Sequence, residues 1–285
     1  MHFSILLFNF NIMDAFSSLI SIYHKENPEW FRAALDCVFA QTVQPNEIVL
    51  VEDGPLTPEL YAVIDEYSSR YPIFNIVKNE TNLGLGLALQ KGVLACKNEI
   101  IARMDTDDLL PNDRFEKQLA ALKEGVDVVS CWSMLFEGTV DHVLAVKKRP
   151  ENHEDIVKLA HRRSPICHAA CMMRKEAVLR AGNYLHRQYY EDYNLWVRMI
   201  QSGAVFYNVQ EVSYYVRTTE DQLKRRGGFS YLKKELKYIR EFYDMGFYSF
   251  WDLMVNSNIR IFARLTPSSI RGKLFKKIWN HSSKS

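Results

Sequence analysis

From residue 16 onward, short runs rich in β-branched residues alternate with amphipathic stretches, and this alternation predicts a mostly parallel sheet with helices on its faces. The predicted strands cover residues 17–23, 47–51, 74–77, 99–104 and 127–131. Between the first two, Asn27 can cap and Pro28 can open a helix reaching about Gln41, with Phe31, Leu35, Val38 and Phe39 as its apolar face. Further helices near 57–71, 84–96 and 112–124 give repeated βα units as far as residue 131. Past residue 150 the pattern loosens into a helix near 153–163, a strand-like run near 166–173 and a helix over 191–202. Ligands of such sheets bind at the carboxyl ends of strands, and two of the five predicted strands end in carboxylates: Glu52-Asp53, and the stretch from Asp105 to Asp108.

A chain of 285 residues, 47% hydrophobic and 25% charged, can bury a sizeable core. Its formal net charge of +2 excludes a generic nucleic-acid binder. Charge is clustered instead at the end, where Arg260, Arg264, Arg271, Lys273, Lys276, Lys277 and Lys284 follow Asp252 without an opposing carboxylate. An aromatic amphipathic stretch, 230–256, precedes them and includes Phe242, Tyr243, Phe247, Tyr248, Phe250 and Trp251. This pattern suits peripheral contact with an anionic cytoplasmic leaflet and suits equally a helical hairpin packed on the domain with a solvated basic face. The five cysteines are odd in number and form no C-x-x-C pair, which argues against a zinc site or a disulfide framework and for a reducing, cytoplasmic setting. Residues 1–13 are apolar but lack the positive start of a secretory signal and are too short to span a bilayer, so they read as an overhang with Met13 as the alternative start.

The sharpest chemical signal is Asp105-Thr106-Asp107-Asp108 directly after a buried-looking strand, where mutual repulsion among carboxylates calls for a positive partner. An oxygen-only set favours Mg²⁺ or Mn²⁺ together with substrate phosphates. The bland alternative is a solvated turn in which Asp108 or Asn112 caps the next helix. Asp53 can accept hydrogen bonds from a base or ribose, or can simply organise the turn at Gly54-Pro55. Asn82-Leu83-Gly84 leads into a helix and either brings backbone close to a ligand or only makes the helix entry. Glu191-Asp192 opens a helix whose dipole welcomes negative charge, yet Tyr189, Tyr190 and Trp196 around it would also hold a sugar ring beside a general base. A lone His168 is more often a satisfied, partly buried histidine than a catalyst.

Taken together, Ser21-Ile22-Tyr23, Val51-Glu52-Asp53-Gly54, Asn82-x-Gly84, Asp105-x-Asp107-Asp108 and Glu191-Asp192-Tyr193, in this order and at these separations, resemble glycosyltransferase family 2 over residues 16–217. The resemblance implies a GT-A fold, α/β with a mostly parallel mixed sheet, and an inverting single displacement on a nucleotide-diphosphate sugar. It implies a domain over 14–229, with a donor half 14–131 and an acceptor half 132–229, followed by a helical region 230–285. Ser21, Tyr23, Glu26, Asp53, Asn82, Gly84, Lys91, Arg103, Asp105 and Arg217 would serve the donor: Tyr23 and Asp53 at the base, Asp105 at the ribose, Lys91 and Arg103 as charge helpers, Arg217 near the phosphates. Asp107 would bind the Mn²⁺ or Mg²⁺ that bridges the diphosphate. Asp192 would be the catalytic base, with Glu191, His168 and Trp196 at the acceptor.

Two departures refine the expectation. Gln90 stands where many members have asparagine, and the segment after Arg217 lacks the Q-x-x-R-W motif of processive members, which favours addition of a single sugar. The stretch from Ser21 to Pro55 looks like bacterial enzymes that build capsule, exopolysaccharide or O-antigen repeat units on a lipid carrier, so a lipid-linked saccharide acceptor and a UDP-hexose donor are expected. Residues 218–229, with Gly227-Gly228, are the candidate loop over the donor. The rival readings are a nucleotidyltransferase, whose glycine-rich triphosphate loop is missing from Tyr23-His24-Lys25-Glu26-Asn27-Pro28, and a catalytically silent sugar-nucleotide-binding subunit.

Overall fold

In a computed structural model, residues 15–219 and 229–265 are described. The overhang 1–13, most of the candidate loop 218–229 and the basic tail beyond Leu265 lie outside them. Parallel strands β1 (Phe16–Ile22), β2 (Glu47–Glu52), β3 (Phe74–Lys78) and β4 (Ile100–Met104) are connected by helices α1 (Pro28–Phe39), α2 (Pro58–Arg70) and α3 (Leu85–Ala95). After α4 (Arg114–Ala121) come the long strands β5 (Val128–Glu137) and β6 (Thr139–Lys147), then α5 (His153–Ala160), a short 3-10 turn His168–Ala170, β7 (Met172–Arg174), α6 (Lys175–Arg180), α7 (Glu191–Gln201) and β8 (Phe206–Arg217). The eight strands of the described residues join one mixed sheet in the order β3-β2-β1-β4-β7-β5-β6, with β8 parallel along β5. Because β8 occupies one edge of β5 throughout, β7 and β6 share the other, antiparallel to it at its start and its end.

Local chemistry sets these elements. The Asn27 side chain accepts from the amides of Glu29 and Trp30 with Pro28 in the first turn, so α1 begins where its cap and fixed φ dictate. Thr57 and Pro58 repeat the device for α2. Strand alternation then divides the core: Phe16, Ile20 and Ile22 of β1 and Ile48 and Leu50 of β2 pack with Phe31, Leu35 and Val38 of α1 on one face. Leu19, Val49 and Val51 point the other way, onto Leu89 and Val93 of α3 and the Leu195, Trp196, Met199 face of α7. Gly92 makes the close α3 approach possible, since a Cβ there would lie 2.3 Å from Leu19 Cδ1.

Past residue 131 the structure departs from the sequence expectation. Strand β5 does not stop at Cys131 but runs to Glu137 and turns through Gly138, at φ +68°, into β6, which the reading of the sequence lacked. The run near 166–173 resolves into the 3-10 turn and the three-residue β7. Helices α8 (Phe229–Asp244) and α9 (Phe250–Leu265) follow, in the region for which the sequence left a membrane contact and a packed hairpin equally open. They pack on the domain: Ile239, Phe242, Phe247 and Tyr248 join Ala160, Tyr193 and Val197 in a third core cluster, and the Tyr193 and Tyr248 hydroxyls meet at 2.7 Å. Among the described residues no helix is long and apolar enough to cross a membrane.

Candidate active site

The carboxyl ends of β1, β2 and β4 lie side by side, because β1 pairs with both of the others. Asp105 leaves β4 and lies 2.5 Å from the Arg103 guanidinium, which is buried on the strand itself. Carboxylate oxygens of Asp105, Asp107 and Asp108 all fall within 4.8 Å of one another. Burial, reinforced by the charge of Asp105, pushes the Asp107 carboxyl up to about 6. The fully enclosed Asp108 is raised well above the usual carboxylate range by the same causes, burial and then Asp107. At Asp107 burial and the neighbouring carboxylate outweigh the opposing charges of Arg103 and Arg217, a balance that a hard divalent cation would relieve.

Asp108 is not a helix cap, as one sequence alternative had it. Its Oδ1 accepts from the amide of Arg217, and the Arg217 side chain donates from Nε to the Asp107 carbonyl at 2.9 Å and on to the Gly138 carbonyl. Arg217 also lies over the rings of Trp30 and Phe136, 4.9 and 4.8 Å from their centroids. The acidic turn is thereby fixed to the end of β8, with paired backbone bonds between Leu109 and Tyr215 alongside.

Opposite the acidic turn, α7 begins with Glu191 and Asp192. Ser164 Oγ donates to Asp192 Oδ2 at 3.1 Å. Burial raises both carboxyls, Glu191 to about 7 with the Asp192 charge as the second cause, while Arg103 opposes the rise in each. The first turn of α3 touches this helix start, since a Cβ on Gly86 would lie 2.5 Å from the Leu185 carbonyl and 3.3 Å from Glu191 Cβ. Arg103, Asp105, His168, Glu191 and Asp192 share the wall of one cavity of about 490 Å³, which Tyr231, Glu235, Arg260 and Arg264 of α8 and α9 also line. One buried guanidinium thus acts on carboxylates from both the end of β4 and the start of α7.

The model of the family described as glycosyl transferase family 2 matches residues 18–182. The chain belongs to glycosyl transferase family 2. This glycosyltransferase is 36% identical over 265 residues to an Escherichia coli protein named UDP-Gal:alpha-D-GlcNAc-diphosphoundecaprenol beta-1,3-galactosyltransferase, covering 92% of this chain and 96% of that one. It is also 36% identical to the amylovoran biosynthesis glycosyltransferase AmsE of Erwinia amylovora, covering 92% of this chain and 98% of that one. Among solved structures, S. aureus TarS aligns with a TM-score of 0.58 at 15% identity over 80% of this chain and 39% of that one, a likeness of fold. Sheet order, flanking helices and this likeness together make the fold GT-A-like.

Within the glycosyltransferase, the structure sorts the residues singled out from the sequence. Asp53 is buried and its carboxylate is engaged: Oδ1 accepts from Asn79 Nδ2 and the amide of Leu83, and Oδ2 from the amide of Gly84. Asn82 donates to the Asp53 carbonyl and Lys91 to Asn79 Oδ1, so Asp53, Asn82, Gly84 and Lys91 form one clamp on the entry to α3. These bonds reach across the chain to the loop before α3 and do not close the local turn at Gly54-Pro55. Asn79, which the sequence reading passed over, links Lys91 to Asp53, on which the clamp converges. Ser21, Tyr23 and Glu26 are half-buried at the end of β1 and in the turn after it, on the same sheet edge as Asp53 but outside the cavity wall.

Trp196 requires correction. It is wholly buried, edge-on to His168 and Phe206 with ring centroids 5.8 and 6.1 Å away, and it offers no face to a sugar. One turn into α7 is one turn deeper into the core, because this helix packs its Leu195, Trp196 and Met199 side against the sheet. His168 does reach the cavity, where its Nε2 meets the Tyr184 hydroxyl at 2.9 Å. Burial, with Arg103 adding to it, holds the imidazole neutral by pushing its pKa well below the ordinary value. Sequence reasoning missed Ser164 and the whole α8–α9 wall. The signal for the wall was present as Arg260 and Arg264, four residues apart and therefore on one helix face.

Proposed function

We propose that this glycosyltransferase is an inverting, non-processive enzyme that moves one hexose from a UDP-sugar to a hydroxyl of a lipid-diphosphate-linked saccharide, in bacterial surface polysaccharide synthesis. The observation that carries the reading is one cavity lined by Asp105, Arg103 and Asp192, with carboxylate oxygens of Asp107 and Asp108 within 4.8 Å of Asp105 just outside that lining. Galactose is the first sugar to test, because the E. coli relative is named for UDP-Gal and for an acceptor on diphosphoundecaprenol.

In this scheme the acceptor hydroxyl enters beside Asp192, whose carboxylate takes its proton as the oxygen attacks the anomeric carbon from the side opposite the departing diphosphate. Attack from that side inverts the anomeric centre. Burial favours the protonated form of Asp192 and so makes its carboxylate a stronger base, with Ser164 holding Oδ2 in place. Arg103 keeps Asp105 aligned and tempers the acidic groups at both ends. Asp107, with Asp105 beside it, would hold Mn²⁺ or Mg²⁺, which when bound supplies positive charge against the leaving diphosphate. The clamp around Asp53, together with Tyr23, shapes the neighbouring sheet edge for the nucleoside, and Arg217 positions the acidic turn. The absence of a Q-x-x-R-W motif after Arg217 supports release after one transfer. The basic C-terminal tail would give a peripheral contact with the cytoplasmic face of the inner membrane.

The direct test offers UDP-galactose, UDP-glucose and UDP-N-acetylglucosamine with Mn²⁺ and a synthetic N-acetylglucosamine-diphosphate-lipid. Transfer of one sugar with inverted anomeric configuration is expected. Binding of a UDP-sugar without transfer to any saccharide acceptor would instead support a silent binding subunit.

A further inference from the structure

Helix α9 is amphipathic in the inverted sense. Its polar residues Asp252, Asn256, Arg260 and Arg264 recur every four positions on the side that faces the domain. Asp252 pairs with Arg162 and accepts from Ser249, Asn256 Nδ2 donates to the His161 carbonyl at 2.9 Å, and Arg264 grips Glu235 through bonds of 2.8 and 3.0 Å. The opposite arc is apolar and exposed: Phe250, Trp251, Met254, Val255, Ile259 and Phe262, with Trp251 at 74% and Phe262 at 70% exposure. Its one polar member is Asn258, and no charge interrupts it. A contiguous apolar surface of this kind marks a contact rather than a solvated face.

We infer that the outer face of α9 docks on an anionic lipid bilayer and that this contact, rather than the basic tail alone, presents the cavity to a membrane-borne acceptor; the second clause rests on the lipid-linked acceptor proposed above. Charge decides between occupants. Half-exposed Arg162 borders the first turn of α9, where it pairs with Asp252, and in the sequence Arg271, Lys273, Lys276 and Lys277 follow the helix with no acidic residue after Asp252. A second copy of the chain on the same face would bring these basic groups together, whereas anionic headgroups attract both sets. Geometry agrees. An α-helix with its side chains is about 10 Å across, and interfacial helices sink about 5–10 Å into the boundary between headgroups and acyl chains. Arg260 and Arg264, which line the cavity from the inner side of the same helix, then lie at headgroup level, where the diphosphate of a lipid-linked saccharide emerges.

Vesicle flotation of the full-length protein tests the inference. Wild type should float with phosphatidylethanolamine–phosphatidylglycerol vesicles and less with phosphatidylcholine. Trp251→Glu/Phe262→Glu should bind at least about tenfold less, with an unchanged circular-dichroism melt, because two large apolar side chains no longer leave water. The milder Trp251→Ala/Phe262→Ala pair should shift binding in the same direction. Arg271→Gln/Lys273→Gln/Lys276→Gln/Lys277→Gln should lose only the salt-sensitive part of the binding. Wild-type flotation by the Trp251→Glu/Phe262→Glu protein would overturn the proposal, as would a halving of solution mass on that substitution, which would make the face an interface between copies. Transfer to a short-chain, water-soluble acceptor should be unaffected by Trp251→Glu/Phe262→Glu, while transfer to a bilayer-embedded acceptor falls. A wild type that floats but transfers to neither acceptor would defeat the functional reading and leave the docking result standing.

Discussion

Glu191 should act against folding at neutral pH, and replacing it with glutamine should reveal how strongly. Its carboxyl is raised from an ordinary 4.5 to about 7, first by burial and then by the charge of Asp192. A carboxyl raised in the folded state holds a proton there that the unfolded chain has already lost, so its contribution to stability falls as pH climbs from 4.5 through 7. Each pH unit between those two values is worth about 1.4 kcal/mol, so the ionised group opposes folding by about 3 kcal/mol above pH 7 and by under about 1 kcal/mol at pH 5. Glu191→Gln removes the ionisation from both states. The variant should therefore gain about 2 kcal/mol more at pH 8 than at pH 5, seen as a melting temperature that rises by roughly 3–4 °C more at the higher pH. Thermal melts in the presence of a chelator read this directly. Equal effects of Glu191→Gln at pH 5 and pH 8 would refute the view that this acidic pair is held in a desolvated cavity.

Asp192→Asn should lower kcat by about 10²- to 10⁴-fold while nucleotide-induced thermal stabilisation is unchanged, since only the proton acceptor is lost; a comparable loss of nucleotide stabilisation would move Asp192 to the donor side. Asp107→Ala should abolish metal-dependent transfer and Mn²⁺-induced stabilisation while leaving the circular-dichroism spectrum intact, and full turnover in that variant would remove Asp107 from any metal site. Trp196→Ala should destabilise the fold by about 3–5 kcal/mol in urea titration, as expected of a wholly buried indole; a loss of acceptor affinity with unchanged stability would restore it to the sugar surface.

Much of the first half was legible because local signals agree there. Asn27-Pro28 and Thr57-Pro58 announce their helices, β2 carries the apolar run Ile48–Val51, and the Asp105 cluster directly follows a buried strand. The second half was harder for a physical reason. Strand β6 lies at the edge of the sheet with most of its side chains in water, so Thr139–Lys147 lacks the buried alternation that would betray it. The site followed the same division. Asp105, Asp107, Asp192 and His168 were visible as residue types at telling places, and all but Asp107 line the shared cavity. Trp196 misled because an aromatic one turn after an acidic pair is equally a core residue, and only the packing side of α7 distinguishes the two. The engagement of Asp53 by Asn79, Leu83 and Gly84 is a long-range matter, set by the β3–α3 loop folding back on β2. Arg260 and Arg264 were read by charge alone, whereas their pairing with Glu235 gives them a place in the cavity wall.

Anomalous diffraction from a crystal of the protein with Mn²⁺ and UDP is the decisive experiment for a cation and a base facing each other across one cavity. One strong peak is expected about 2.1–2.4 Å from a carboxylate oxygen of Asp107, with the diphosphate bound beside it and the open side of the cavity leading to Asp192. A Mn²⁺ peak away from the Asp105–Asp108 turn, or a diphosphate bound where Asp192 cannot face it, would contradict this arrangement.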